Sequence, residues 1–161
     1  MILIVADTGP INYLIQIGCV DTLSQLVKTV VLPASVLREL QSEGAPPAVR
    51  KWAEKLPVWV EIHSPTSQIP MQPELSEADR EAIALAKELQ ALLLMDDRRA
   101  RRAALDQTVR TIGTLGILEA AAAKGLVSLP DALERLRATS MFISDELLAQ
   151  ALRRDSTRRG V

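Results

Sequence analysis

Asp7 follows an apolar run at residues 2–6 and precedes Thr8-Gly9-Pro10, which breaks it. Further along stand Glu39 in ASVLREL, Glu81 in EADREAIALA, and Asp96 with Asp97 directly behind ALLLM. A charge set against a buried strand is costly unless something pairs with it. Several carboxylates in one cleft repel each other, and a hard divalent cation relieves the repulsion. Mg2+ and Mn2+ prefer oxygen ligands and keep several waters, one of which can act as nucleophile. Two such ions, about 3.5–4 Å apart, clamp the attacking and leaving oxygens of a phosphodiester. The chemistry these residue types support is metal-assisted phosphodiester cleavage.

Sequence spacing alone does not gather these acids, so the elements must. Strand-like runs at 2–6, 29–33, 58–62, 91–95 and 109–112 alternate with helical segments. That alternation predicts an α/β fold, a three-layer α/β/α sandwich around a mostly parallel, about five-stranded sheet. In such a fold each helix starts where a strand ends, and ligands bind at the carboxyl edge near a reversal of strand order. Asp7 and Asp96 follow strands, while Glu39 and Glu81 lie in the second turns of helices that follow strands. One domain over 1–153 is expected, with 154–161 as a disordered basic tail. Residues 63–74 form a proline-rich loop, and His63, the single histidine, is assigned to it without a role.

Composition narrows the classes. A 161-residue chain with 48% apolar and 24% charged residues can bury a full core. Cys19 is the lone cysteine, which excludes an internal disulfide and a cysteine zinc cluster, and it is expected to be packed rather than nucleophilic. The start of the chain lacks a basic leader, and no run is long enough to span a bilayer, so a cytoplasmic setting is expected with no membrane role. A net charge of −1 excludes a wholly basic nucleic-acid binder but leaves room for a local basic patch. No Gly-rich phosphate loop and no Ser-His-Asp set is present.

Each candidate has a plain alternative. Asp7 could merely cap the following helix. Thr8 could orient Asp7 or a metal-bound water, or be a turn residue. Glu39 could be a solvated helix carboxylate. Asp79 has a structural task as the partner of Ser76 in a capping box, which leaves Glu81 as the preferred ligand and Asp79 as the reserve. Asp97 can pair with Arg101 four residues on, which makes Asp96 the better ligand and Asp97 the second choice. Arg98, Arg99, Arg101 and Arg102 crowd a predicted helix start, where each opposes the helix dipole by about 0.3–1 kcal/mol. That cost makes sense if RNA phosphates pass nearby, although a solvated face is the ordinary reading of a charge run.

Taken in order, ADTGP, ASVLREL, EADREAIALA and LLLMDDRRARRAA resemble the four motifs of the PIN-domain ribonucleases, a family that includes VapC-type toxins of toxin–antitoxin pairs. TIGTLGILEAAAAKGLV is similar to a related subgroup in which Gly-Thr-Leu-Gly follows the last strand. The resemblance covers about residues 2–153. It implies a Mg2+- or Mn2+-dependent endoribonuclease, an RNA substrate, an antitoxin partner and a homodimer. It makes Asp7, Glu39, Glu81 and Asp96 the metal-holding catalytic acids, with Thr8 and Thr114 in support. Glu81 stands where many of these toxins carry Asp, and Leu94-Met95 stand where a hydroxyl often precedes the fourth acid. That departure supports the alternative, a catalytically silent module that binds RNA or an antitoxin-like protein. A phosphatase with an aspartyl nucleophile would want a second acid at position 9, where Gly9 stands.

Overall fold

The structure, a computed structural model, describes residues 3–160; Met1, Ile2 and Val161 fall outside the described residues, including the first residue of the expected first strand. The chain runs β1 (Leu3–Ala6), α1 (Thr8–Gln16), a 3-10 turn (Val20–Thr22), α2 (Leu23–Leu26), β2 (Thr29–Pro33), α3 (Ala34–Leu40), α4 (Pro47–Glu54) and β3 (Val60–His63). It continues as α5 (Glu77–Leu89), β4 (Leu92–Leu94), α6 (Arg98–Asp106), β5 (Thr111–Ile112), α7 (Thr114–Ala123), α8 (Leu129–Arg137) and α9 (Asp145–Arg159). The five strands form one sheet in the order β3-β2-β1-β4-β5, parallel throughout. The order reverses between β1 and β4, so a crevice opens beyond their carboxyl ends.

Side chains alternate across the pleat, and the strands divide two apolar layers accordingly. Ile4, Ala6, Val30, Leu32 and Leu94 face a core closed by α1, α3, α4, α7, α8 and α9. Val5, Val31, Leu93 and Met95 face the opposite core, closed by α5 and α6. This is the three-layer sandwich expected from the alternation of runs. α5 begins with the expected capping box: Ser76 Oγ accepts from the Asp79 amide at 3.1 Å, and Asp79 Oδ2 accepts from the Ser76 amide at 3.1 Å.

Two expectations are corrected. The supposed disordered tail at 154–161 is helical as far as Arg159, because α9 has an internal anchor there. Asp155 is 1% exposed and accepts from Arg158 and Arg159, while Arg154 pairs with Glu119 of α7 at 2.7 Å. His63 is not in the loop; it ends β3, paired with Glu61 of the same strand at 2.9 Å. The loop that follows is tied down by Glu88 of α5, whose Oε1 accepts from the amides and hydroxyls of both Thr66 and Ser67. No helix among the described residues is long and apolar enough to cross a membrane.

Candidate active site

The parallel registers settle which acids meet. Ala6 of β1 lies beside Leu94 of β4, and the Asp7 amide donates to the Leu94 carbonyl at 2.9 Å. Asp7 and Asp96 therefore emerge from neighbouring strands at the crevice. Asp7 stands at the N-cap position of α1 but makes no capping bond with its side chain, so the plain capping role is not the one it fills. It is 7% exposed, and its Oδ1 has no hydrogen-bond partner.

Burial pushes the Asp7 carboxyl up to about 8, and the adjacent Asp79 carboxylate, within hydrogen-bond reach, and the charge of Glu39 push the same way. The Thr8 amide opposes them without prevailing. A carboxyl in this position is satisfied either by keeping a proton or by meeting a cation. Asp79 therefore has two tasks, one at the helix cap and one facing Asp7.

Glu81 is elsewhere. It lines a separate groove of about 390 Å³ with Arg80, Ala84 and the loop residues Ile69 and Met71. The cause is helical: at 3.6 residues per turn, positions two apart point about 200° away from each other. The acid facing Asp7 from α5 is the reserve candidate Asp79 instead of the preferred Glu81. The sequence carried a usable signal, since Asp79 shares its face with Ala82, Ile83 and Ala86, all buried.

Glu39 is exposed on α3 and accepts a short hydrogen bond from the Thr8 hydroxyl. The Thr8 hydroxyl thus steers Glu39, while the Thr8 amide serves Asp7. Close by, Arg38 of α3 pairs with Glu77 of α5 at 2.8 Å and ties these two helices together at the surface.

Asp96 is held from one side by Thr114. The Thr114 amide donates to Oδ1 at 2.7 Å and the fully buried Thr114 hydroxyl to Oδ2 at 2.6 Å. These donors sit at the start of α7, where the helix dipole favours a negative charge. Gly113 makes the approach possible. A Cβ there would lie 2.9 Å from Asp96 Oδ1 and 3.2 Å from Arg101 Nη1, closer than side chains pack. Gly116 admits Ile112 in the same manner, with Cγ1 at 2.7 Å from where a Cβ would stand. Sequence reasoning had the Gly-Thr-Leu-Gly pattern but not these approaches.

Asp97 is the exposed N-cap residue of α6 and makes no side-chain cap bond. The expected Asp97–Arg101 pair does not form, because Arg101 turns its Nε to Thr111 Oγ1 at 3.0 Å. Arg98, Arg99, Arg101 and Arg102 are all exposed, and none pairs with a carboxylate among the described residues. Cys19 is buried, which pushes its thiol up and makes it a packed residue.

Among the described residues no three acids converge closely enough to form a ready-made ion cage. The donor chemistry nevertheless fits a hard cation. Asp7 presents a buried, unpartnered oxygen, Asp79 and Glu39 add charge beside it, and Asp96 follows the neighbouring strand. A groove of about 700 Å³ lies at the opposite edge of the sheet around Leu3, Ala91 and Val109, away from these acids.

Comparison with known proteins agrees with the fold. Residues 3–157 match a family described as a PIN domain. A solved structure of a PilT N-terminus domain protein from the hyperthermophilic archaeon Sulfolobus solfataricus P2 is similar, with a TM-score of 0.54 and 18% sequence identity. The match covers 74% of this chain and 92% of that one. No curated protein matches the chain.

Proposed function

The chain belongs to the PIN-domain family, whose members are generally metal-dependent nucleases, and on that premise we propose that it is a Mg2+- or Mn2+-dependent endoribonuclease. The observation that carries this reading is Asp7: buried at the strand-order reversal, with one oxygen unpartnered and its carboxyl raised to about 8 beside Asp79 and Glu39. An acid kept in that condition at the ligand-binding edge favours a cation site.

Asp7, Asp79, Glu39 and Asp96 are the residues that would hold the metal. A bound divalent ion would supply charge neutralisation at the phosphodiester and a more acidic water. The chain's own contribution is positional. Thr114 fixes both oxygens of Asp96, Thr8 directs Glu39, and the capping box fixes Asp79. The unpaired arginines of α6 stand beside this edge and suit RNA phosphate oxygens. Glu81, in its separate groove, has no part in this arrangement.

We assign the toxin role of a toxin–antitoxin pair to this nuclease, with an antitoxin protein as partner, a homodimer as the assembled form and the cytoplasm as its setting. The support is the sequence motifs alone. The second reading, a silent module that binds RNA or an antitoxin-like protein, is favoured by the absence of a ready-made cage among the described residues.

Structured RNA incubated with and without Mn2+, beside Asp7→Asn, separates the two. Cleavage that needs metal and disappears in the variant supports the nuclease. Tight RNA or partner binding without cleavage supports the module.

A further inference from the structure

β5 is a two-residue strand at the end of the sheet, and its outer edge is unpaired among the described residues. Beside it runs an open groove of about 680 Å³. Arg101, Arg102 and Arg110 line it, along with Leu105, Thr111 and Ile112. Arg98 and Arg99, although close in sequence, do not line it. We infer that this groove is a binding track for the polynucleotide strand on one side of the acid cleft, with Arg102 and Arg110 as its phosphate-binding residues. This rests on the ribonuclease reading of the cleft.

Three observations converge on it. First, the groove is positively charged without internal compensation: none of its three arginines pairs with a carboxylate among the described residues. The basic residues of α9 differ, because Arg154 is paired with Glu119, and Arg158 and Arg159 with Asp155. Uncompensated arginines along a groove form an electrostatic footprint for a phosphate backbone.

Second, Arg101 links the groove to the acids. Arg101 reaches from the groove to Gly113, where its Nη1 and Asp96 Oδ1 flank the same small space. Arg110 precedes β5 at the amino end of the sheet, so a strand held there and at Arg101 would follow the outer edge of β5 toward the acids. Third, the lining is mixed. Leu105 is 69% exposed, and Ile112 lies in the same groove. Apolar surface between arginines suits bases whose faces are free to pack while the backbone is held. Arg110 was not among the sequence candidates, because it precedes a strand and stands alone in sequence.

The test uses the full chain carrying Asp7→Asn, so that RNA survives, and a short single-stranded RNA as the probe. Binding is measured over a salt series. Arg110→Ala and Arg102→Ala are each expected to weaken binding by roughly tenfold. Each should also reduce the slope of log affinity against log salt by about 0.7 for every phosphate no longer neutralised. Lys51→Ala on α4, which packs against α1 and α3 and does not line the groove, should leave both unchanged. Arg110→Lys should restore the salt dependence.

If Arg110→Ala and Arg102→Ala bind as the parent does while the unaltered protein cleaves RNA, the groove assignment is overturned and the nuclease stands. If both weaken RNA binding but the unaltered protein never cleaves, the groove stands and the nuclease reading falls. Preference for an acidic peptide over RNA, lost in Arg110→Ala, overturns the assignment in favour of a protein partner.

Discussion

Asp7→Asn should make the metal-free protein more stable. The ordinary carboxyl value is 3.8, and burial together with Asp79 and Glu39 raises it to about 8 in the folded chain. The folded state then binds a proton more tightly than the unfolded state does. Below the ordinary value both states are protonated and nothing is lost. As pH rises toward the folded value, the unfolded chain ionises first, and stability falls. Above the folded value the loss is complete and constant. At about pH 7, with 1.36 kcal/mol per unit, the burden is on the order of 4 kcal/mol. Asparagine removes the titration and can donate to Asp79, so most of that burden is relieved. For a chain of this length each kcal/mol is about 2–4 °C in Tm, which puts the expected rise at about 8–16 °C near neutral pH.

Thermal unfolding of both proteins in chelator, followed by circular dichroism from about pH 5 to pH 8, measures this. The gain of the variant should grow with pH. Added Mn2+ should then raise the Tm of the unaltered protein, by an amount equivalent to about 2.7 kcal/mol at a hundredfold excess over its Kd, and leave Asp7→Asn nearly unmoved. A variant no more stable than its parent at pH 8, or a gain that ignores pH, would refute the account of Asp7 as a proton-burdened acid.

Other expectations follow from particular side chains. Thr114→Val removes the hydroxyl that holds Asp96 Oδ2; a loss of about 1–3 kcal/mol is expected in chemical denaturation, with weaker Mn2+ binding by calorimetry. Gly113→Ala places a methyl against Asp96 Oδ1, and RNA cleavage should fall at least tenfold while far-UV circular dichroism is unchanged. Asp79→Ala should lower stability through removal of the cap by about 1 kcal/mol, partly offset by relief of Asp7, and should abolish metal-dependent cleavage, whereas Glu81→Gln should cleave within twofold of the parent. Truncation after Arg153 removes Asp155 with its two arginines; a clear drop in Tm is expected, which a disordered tail would not produce.

The sheet was legible because alternating apolar runs and proline or glycine stops are local signals. Asp7 and Asp96 were legible for a related reason: Asp7 directly follows β1 and Asp96 stands two residues past the end of β4, so the topology alone carries both to the carboxyl edge. The choice between Asp79 and Glu81 was harder. A convincing cap at Ser76 accounted for Asp79 locally, and nothing local says that its carboxylate also meets a residue seventy-odd positions earlier. Arg101 misled in the same way, since a neighbour four residues away on a helix looked sufficient, while Thr111 and the space at Gly113 lie on other elements. The end of α9 failed as a sequence reading because basic residues near a terminus look solvated. Their anchor, Asp155, shows its purpose only when packing buries it.

The double duty of Asp79 couples the first turn of α5 to occupancy of the cleft. The carboxylate that stops this helix from fraying is the same one a cation would draw on. Ion capture should therefore register as altered amide exchange at residues 76–80, giving a readout of the empty and loaded protein that needs no substrate at all.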